Sequence, residues 1–227
     1  MAAVARKTNW FAIWVSVAVV VVLVGVAALV VVMNNSTTQP GTAPVASVVN
    51  EETGAISVGT GTGTLDTYID FMCPICNQFE TSYGSAIEGL VDDGTITLNI
   101  HPISILDRAS QGTEYSTRSA NAMYCVAVAD GSASLPFMQA MFANQPAEQS
   151  TGLTDEQILA IASGVGVSGI DSCVKNGTYS KYVTTMTAKT PIAPNAQGIG
   201  TPTIAVNGTT IDNSTLPEPA NLASLFQ

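Results

Sequence analysis

Residues 65–80 read LDTYIDFMCPICNQFE, and this stretch decides the fold. A strand-like run leads directly into two cysteines, Cys73 and Cys76, which are separated by Pro74 and Ile75. Proline suits the first position of a helix, where its missing N–H group is not needed. The stretch therefore predicts a strand followed by a helix that begins at Cys73, with Cys76 one turn further along.

The position of Cys73 at the helix start also predicts its reactivity. A residue at the N-cap faces unpaired backbone N–H groups and the positive end of the helix dipole, and both favour a thiolate over a thiol. Cys76 lies one turn further into the helix, where we expect a shielded and less acidic thiol. One exposed nucleophile with one protected resolving thiol is the arrangement that thiol–disulfide exchange needs.

A zinc site is the main alternative for a C-x-x-C pair, and it requires two further ligands nearby. The remaining candidates are Cys125, Cys173 and the single histidine, His101. They do not form a closely spaced pair, so we favour a redox centre and predict no metal. We interpret His101 as a structural or loop-anchoring residue, because nothing in the sequence ties it to the dithiol.

Cys125 and Cys173 are 48 positions apart in the predicted helical region. They are either a second redox pair or a disulfide that joins two helices. Because they lack the short spacing of a redox pair, we favour the structural disulfide. Closing a loop of this length contributes about 4 kcal/mol through the entropy of the unfolded chain.

Residues 10–33 form an uncharged, apolar run of 24 residues. As a helix this run is about 36 Å long, enough to cross a hydrocarbon core of about 30 Å. Arg6 and Lys7 precede it, and the next basic residue is Arg108. The positive-inside rule therefore predicts a single-pass anchor with residues 1–9 in the cytoplasm and the rest of the chain outside.

A cleaved signal peptide is the alternative for the same segment. Its apolar region would be about 7–15 residues long and would be followed by small residues in an A-x-A pattern. The present run is longer, and the Asn, Ser and Thr residues that follow it offer no good cleavage site. We therefore expect an uncleaved anchor.

The chain is acidic, with a formal net charge of −10. Beyond the apolar run, five basic residues are set against 17 acidic ones, a balance of −12. Such a surface repels phosphate backbones, so we expect no nucleic-acid partner. All four cysteines also lie beyond the run, on the side of the membrane where disulfides persist.

Beyond the anchor we predict a flexible linker, residues 34–54, and one α/β domain, residues 55–227. A strand, a helix and a second strand form a βαβ unit, which implies parallel pairing with a right-handed crossover. A helical insertion over about residues 110–190 follows, and Asn207-Gly208 predicts a tight hairpin turn. Within the insertion we predict helices over 116–129, 136–143 and 173–189, and a further helix that begins with a capping box at Thr154. A C-terminal helix is predicted over 217–226.

Two motifs carry a family resemblance. Residues 73–80, CPICNQFE, precede the helical insertion, and residues 200–203, GTPT, follow it directly before the hairpin. The chain thereby resembles the DsbA family of thioredoxin-fold oxidoreductases over about residues 55–225, and most closely its membrane-anchored actinobacterial branch. Further similar segments are YSTR at 115–118, CV at 125–126, QPAE at 145–148 and GLTD at 152–155.

The resemblance implies a thioredoxin-like fold with an inserted helical domain, and it implies roles for several residues. Cys73 would exchange with the substrate, and Cys76 would resolve the mixed disulfide. Thr201, in a cis peptide bond with Pro202, would face the dithiol and orient the substrate. The second cysteine pair of this branch is structural, and no cofactor is implied besides the redox-active disulfide itself.

The chain departs from the family pattern at two positions. Many DsbA proteins have a histidine between the two cysteines, where it helps to stabilise the thiolate, and here Ile75 takes its place. The strand position six before Cys73 is often a buried acid in the superfamily, and here it is Thr67, although Asp66 and Asp70 are near. Glu80 does match the acid of the family's helix; it either assists proton transfer at Cys76 or is a solvated carboxylate.

The expected function is the oxidation of newly exported proteins outside the cytoplasm. The expected partners are unfolded or reduced exported proteins, the lipid bilayer through residues 10–33 and, by resemblance, a membrane reoxidase of the VKOR or DsbB type. A disulfide reductase or isomerase is the alternative within the same enzyme class. A non-catalytic, membrane-tethered binding module, whose cysteines hold zinc or a fixed disulfide, is the alternative from another class.

Overall fold

The chain consists of two units, an N-terminal helix and a larger domain that begins at Gly41. The computed structural model describes residues 10–38 and 41–227. The predicted cytoplasmic residues 1–9, including Arg6 and Lys7, lie outside the described residues.

The first unit is helix α1, Trp10–Thr38. Its segment Ile13–Val31 is long and apolar enough to cross a membrane, and none of that segment is buried inside the protein. The helix continues beyond the predicted end of the anchor at residue 33. Its last residues are polar, and backbone hydrogen bonding extends a helix without regard to side-chain polarity, so the end of the helix does not set the end of the predicted anchor.

The second unit is built on a five-stranded sheet in the order β1-β3-β2-β4-β5. The strands β2 and β3 are parallel, and the other neighbours are antiparallel. This arrangement confirms the predicted thioredoxin-like α/β class. The strands are β1 Ile56–Val58, β2 Gly63–Ile69, β3 Ile96–Pro102, β4 Thr203–Val206 and β5 Thr209–Ile211.

Helix α2, Pro74–Asp92, connects β2 to β3 and completes the predicted βαβ unit. Its buried side is formed by Cys76, Gly84, Ile87 and Leu90, which recur at helical spacing and face the core. Alternate residues of β2 are buried, as expected of a strand with one side against the core. The dithiol therefore lies just beyond the carboxyl end of β2.

Five helices, three short 3-10 turns and one longer 3-10 helix fill the rest of the domain. The predicted insertion is confirmed, with α3 at its centre and most of that helix buried. The helices are α3 Tyr115–Ala129, α4 Ser134–Ala143, α5 Asp155–Gly164, α6 Asp171–Lys175 and α7 Ser180–Thr187. The 3-10 turns are Asp107–Ala109, Gly131–Ala133 and Asn213–Thr215.

The single helix predicted over 173–189 is wrong, because the chain breaks between α6 and α7. Gly177 has φ +58°, in the left-handed region that favours glycine. The Asn121 side chain, from α3, accepts the backbone N–H of Tyr179 at 2.7 Å and donates to carbonyls at the end of α6. This tertiary contact replaces the hydrogen bonds of a continuous helix.

The other local signals hold. Thr154 and Gln157 form the predicted capping box at the start of α5, with both reciprocal hydrogen bonds in place. Asn207 and Gly208 form the turn between β4 and β5, both with positive φ, as a tight hairpin requires. The predicted C-terminal helix is present as a 3-10 helix, Pro219–Phe226.

Residues 41–54, predicted as part of a flexible linker, pack against the domain. Val49 is only 8% exposed and belongs to the core. The hydroxyl of Tyr182 donates to the carbonyl of Glu51 at 2.7 Å, and that of Tyr124 donates to the carbonyl of Gly54 at 2.7 Å. The segment is held through its backbone carbonyls, which its polar composition does not reveal.

Candidate active site

The dithiol lies where β2 ends and α2 begins. Cys73 is the N-cap of α2 with extended backbone angles, and Pro74 is the first helical residue. The backbone N–H of Cys73 donates to the carbonyl of Asp70 at 2.9 Å and closes a tight turn. Strand, turn and helix therefore fix the position of the first cysteine before any tertiary contact is considered.

The two thiols differ in acidity in the predicted direction. A hydrogen bond from the Cys76 side chain, together with the backbone N–H groups of Cys76 and Ile75, lowers the pKa of Cys73 to about 7, although burial and the charge of Asp70 oppose this. Burial, and next the neighbouring Cys73, raise the pKa of Cys76 well above its ordinary value. The proton therefore stays on Cys76 while Cys73 ionises.

The predicted exposure of Cys73 needs correction. Cys73 is only 5% exposed and Cys76 is fully buried. The cover comes from the Thr201-Pro202 loop: the Sγ of Cys73 lies 3.5 Å from the Thr201 carbonyl oxygen, to which it donates. The local sequence predicts that a helix starts at Cys73, but it does not predict that a distant loop will cover the thiol.

The peptide bond between Thr201 and Pro202 is cis, and this loop contacts both sulfurs. The Oγ1 of Thr201 lies 3.0 Å from the Sγ of Cys76. The same hydroxyl lies 3.1 Å from the carbonyl oxygen of Tyr68, to which it donates. The structure thus brings together four of the residues that the motifs singled out.

Glu80 lies beside a small cavity that reaches Cys76. The cavity has a volume of about 10 Å³, close to the minimum that one water molecule needs, and Thr67 and Gly84 also line it. Burial, and next the charge of Glu88, raise the pKa of Glu80 to about 7. Gly84 leaves room for the Glu80 carboxylate, because a Cβ at that position would collide with its Oε1 atom.

An open groove of about 250 Å³ runs beside Pro202. Ile75 is 57% exposed at one wall. Asn213 donates to the carbonyl of Pro202 at 2.8 Å and so holds the loop on the other side. The groove is lined by Ile75, Gln78, Phe79, Ser82, Tyr83, Pro202, Asn213 and Leu216.

Sequence reasoning missed two residues that hold the site. The Gln145 side chain, beyond α4, donates to the carbonyls of Phe71 at 3.0 Å and Cys73 at 2.9 Å. Asp70 is fully buried beneath the turn. The QPAE segment pointed to Gln145 only through resemblance, and the sequence marks Asp70 only as an acid near the position of the superfamily's buried acid, without a role of its own.

His101 belongs to a different part of the sheet surface. Its Nε2 lies 2.9 Å from the Oδ1 of Asp66, and its ring stacks on Tyr68 with centroids 4.0 Å apart. These contacts are those of a structural residue, and no hydrogen bond in the described part of the chain links His101 to the cysteines. Cys125 and Cys173 form a disulfide that joins α3 to α6, and they take no part in the dithiol's hydrogen bonds.

Known proteins match both the sequence and the fold. A family model described as Thioredoxin matches residues 60–221. The reduced DsbA of Mycobacterium tuberculosis is 30% identical, with 82% of this chain and 91% of that one covered and a TM-score of 0.62. The reduced disulfide bond oxidoreductase DsbG of the same organism is 31% identical, with 84% and 89% covered and a TM-score of 0.62.

Two further relatives extend the comparison. The thiol-disulfide oxidoreductase MdbA of Actinomyces oris is 27% identical, with 82% of this chain and 90% of that one covered and a TM-score of 0.63. The serine/threonine-protein kinase PknE of Mycobacterium tuberculosis is 34% identical over 119 residues, or 50% of this chain. The match spans only 21% of that kinase. Taken with the dithiol geometry, the chain therefore belongs to the thioredoxin family, in the group of DsbA-type thiol-disulfide oxidoreductases.

Proposed function

We propose that the protein exchanges disulfides with exported proteins and that its main direction is their oxidation. The observation that carries this proposal is the contrast between the two thiols, a Cys73 whose pKa is lowered to about 7 and a buried Cys76 whose pKa is raised. A stabilised thiolate at the first cysteine makes it both the better nucleophile and the better leaving group.

The proposed reaction starts from the Cys73–Cys76 disulfide. A substrate thiolate attacks the Sγ of Cys73, and the bond to Cys76 breaks with its electron pair on Cys76, which then takes up a proton. A second substrate thiolate attacks the substrate sulfur of the mixed disulfide, and Cys73 leaves as a thiolate. Two electrons pass from two substrate thiols to the dithiol. Full burial of Cys76 favours attack at Cys73.

Proton delivery to Cys76 is the role we assign to Glu80. The raised pKa makes the Cys76 thiolate a poor leaving group, so the disulfide breaks more easily when a proton is delivered to Cys76. Glu80 lines the same small cavity, and a pKa of about 7 lets it hold or release a proton near neutral pH. One water in that cavity is sufficient to connect the two groups.

Thr201 and Pro202 are proposed to position the substrate. The Thr201 carbonyl is next to the Cys73 sulfur, and the groove beside Pro202 has apolar and polar walls. We expect an extended substrate segment to lie along this loop with a neighbouring side chain in the groove. Ile75, where the family often has histidine, makes the groove mouth more apolar.

The location is proposed as single-pass membrane attachment with the catalytic domain outside. Support comes from the apolar helix α1 and from the Cys125–Cys173 disulfide, a bond that persists outside the cytoplasm. The orientation rests on Arg6 and Lys7, which lie outside the described residues. A membrane reoxidase of the VKOR or DsbB type would return the dithiol to its disulfide form.

A reductase or isomerase is the second candidate, and one observation favours it. The Cys73 pKa of about 7 resembles the value of about 7 for thioredoxin more than the value of about 3.5 for DsbA. We therefore expect a weaker oxidant than DsbA. The two directions differ in redox potential, about −120 mV for DsbA and about −270 mV for thioredoxin.

The deciding experiment equilibrates the full-length protein with glutathione buffers and measures the dithiol potential. Oxidation of a reduced, unfolded substrate protein by the oxidised enzyme is measured in parallel. A potential well above that of thioredoxin, with substrate oxidation that depends on Cys73, supports the proposal. A thioredoxin-like potential favours the reductase, and bound zinc with no exchange activity would support the binding module instead.

A further inference from the structure

Asp70 is a buried carboxylate directly beneath the dithiol, three residues before Cys73. Its Oδ1 accepts the backbone N–H of Met72 at 2.9 Å and the hydroxyl of Ser116 at 2.7 Å. Its Oδ2 accepts the backbone N–H of Leu106 at 2.9 Å. One side chain thus joins the active-site turn, the loop that follows β3 and the first turn of α3.

The backbone of Asp70 reaches both cysteines. Its carbonyl accepts the N–H of Cys73 at 2.9 Å. Its N–H is a hydrogen-bond donor that favours the ionised form of Cys76. A shift of Asp70 therefore changes the surroundings of both sulfurs at once.

The charge of Asp70 is costly where it lies. Its side chain is fully buried, and no ion pair in the described part of the chain involves it. Three donors suit an acceptor-only carboxylate, yet burying a charge without a counter-ion is unfavourable. Burial raises the pKa of Asp70 to about 6, with a smaller contribution from Asp107. It is therefore largely ionised at neutral pH despite that cost.

A negative charge at this position acts against the Cys73 thiolate, because like charges repel in a poorly hydrated site. The charge of Asp70 indeed opposes the lowering of the Cys73 pKa. Thiolate stability governs the potential, since a dithiol whose reduced form is stabilised is a stronger oxidant.

We propose that the Asp70 carboxylate is a positioning residue that limits the stability of the Cys73 thiolate and thereby holds down the oxidising strength of the dithiol. Its hydrogen bonds to Ser116 and Leu106 keep the charge in place and tie the active-site turn to the helical insertion. The inference deepens the proposed function and rests on the redox chemistry of the same cysteines.

The test compares the full-length protein with Asp70→Asn, which removes the charge at almost constant volume. The Cys73 pKa is measured from the ultraviolet absorbance of the thiolate, and the potential from equilibrium with glutathione. We expect the Cys73 pKa to fall by about one, and the equilibrium constant with glutathione at pH 7 to move about fivefold toward the reduced enzyme. An unchanged pKa and potential with lower thermal stability would reduce Asp70 to a structural residue.

Asp107→Asn is the matched control. Asp107 is a carboxylate that binds the N–H and hydroxyl of Thr117 at 2.9 Å and 2.6 Å, without a contact to the dithiol. Its loss should lower thermal stability and leave the Cys73 pKa nearly unchanged. An equal shift in both variants would mean that the effect is general disruption and would overturn the inference.

A measurement on the unmodified protein covers the case in which Asp70→Asn does not fold. Coupling between two ionising groups is reciprocal, so the Cys73 thiolate must also disfavour ionisation of Asp70. The Asp70 carboxyl, followed by NMR of isotope-labelled protein, should titrate at higher pH in the reduced than in the oxidised form. An identical titration overturns the inference. Because thiolate absorbance needs no turnover, the result stands apart from whether exported proteins are the substrates.

Discussion

The chain contains two cysteine pairs that share one domain and have opposite properties. Cys73 and Cys76 are free thiols at a helix start, whereas Cys125 and Cys173 form a disulfide between two helices. Both pairs are largely enclosed, so exposure does not separate them. The difference lies in the surroundings: backbone N–H groups, a neighbouring thiol and the buried acid Asp70 act on the first pair, and packed helices surround the second. Cysteine reactivity here follows from local electrostatics.

The largest effect is expected from Cys73→Ser, which should reduce substrate oxidation to the uncatalysed rate, since no other free thiol has a lowered pKa in the described part of the chain. Cys76→Ala is the matched variant: it should also lose turnover but should accumulate mixed disulfides through Cys73. Non-reducing electrophoresis after mixing with substrate distinguishes the two. Residual turnover in Cys73→Ser would mean that the second pair is also redox-active.

The second prediction concerns the other pair. Replacing both Cys125 and Cys173 by alanine should lower the free energy of unfolding by about 4 kcal/mol, because the unfolded chain gains the entropy of an open loop. Denaturant unfolding measures the loss, and the potential of the remaining dithiol serves as the control. If stability stayed the same while the potential moved, the distinction between a structural and a catalytic pair would be wrong.

Glu80→Gln tests the proton pathway, and we expect substrate oxidation at pH 7 to slow by about tenfold. The change should also affect stability with a definite sign. Burial raises the pKa of Glu80 from its ordinary value of 4.5 to about 7 in the folded protein, so the native state favours the protonated acid and loses stability as pH rises from about 4.5 to about 7. The variant should therefore gain in melting temperature relative to the parent at pH 8 and not at pH 5.

If Glu80→Gln slowed substrate oxidation tenfold but did not raise the melting temperature at pH 8, Glu80 would act in catalysis without the unfavourable burial of its charge. Full activity in Glu80→Gln would show that Glu80 takes no part in proton transfer to Cys76. Glu88→Gln is the control, because Glu88 is exposed on the same helix and raises the Glu80 pKa only as the smaller of two causes.

The smallest effect is expected from Ile75→His. A protonated imidazole between the cysteines would stabilise the thiolate, but Ile75 is well exposed, so solvent weakens the added charge. We expect the Cys73 pKa to fall by less than one, as measured by the pH dependence of alkylation. Ile75→Gln gives the polarity without the charge and should leave the pKa unchanged.

The two regions also differ in how far the sequence predicts them. The dithiol centre is set by neighbouring residues: a strand, a proline at the first helical position and a helical repeat of apolar residues. Both the local fold and the lower pKa of Cys73 relative to Cys76 therefore follow from the sequence. The Asn-Gly turn and the capping box at Thr154 are equally local. These features need no knowledge of distant neighbours.

The errors all involve contacts between distant parts of the chain. Asn121 interrupts the helix predicted over 173–189, and Thr201 covers a cysteine predicted to be exposed. Gln145 holds the active-site turn from another helical segment. The sequence marks Asp70 only as an acid near the position of the superfamily's buried acid, and its partners Leu106 and Ser116 come from distant parts of the chain. Hydrophobic periodicity indicates which side of an element is buried, but not which polar side chain from elsewhere will meet it.

The docking of residues 41–54 determines where the water-soluble part of this enzyme can be cut free. A fragment that started at residue 55 would lose Val49 from the core and leave the hydroxyls of Tyr124 and Tyr182 without their carbonyl acceptors. A fragment that retains Gly41 onward would keep those contacts. The shortest active fragment should accordingly be set by these two tyrosines rather than by the first strand of the sheet.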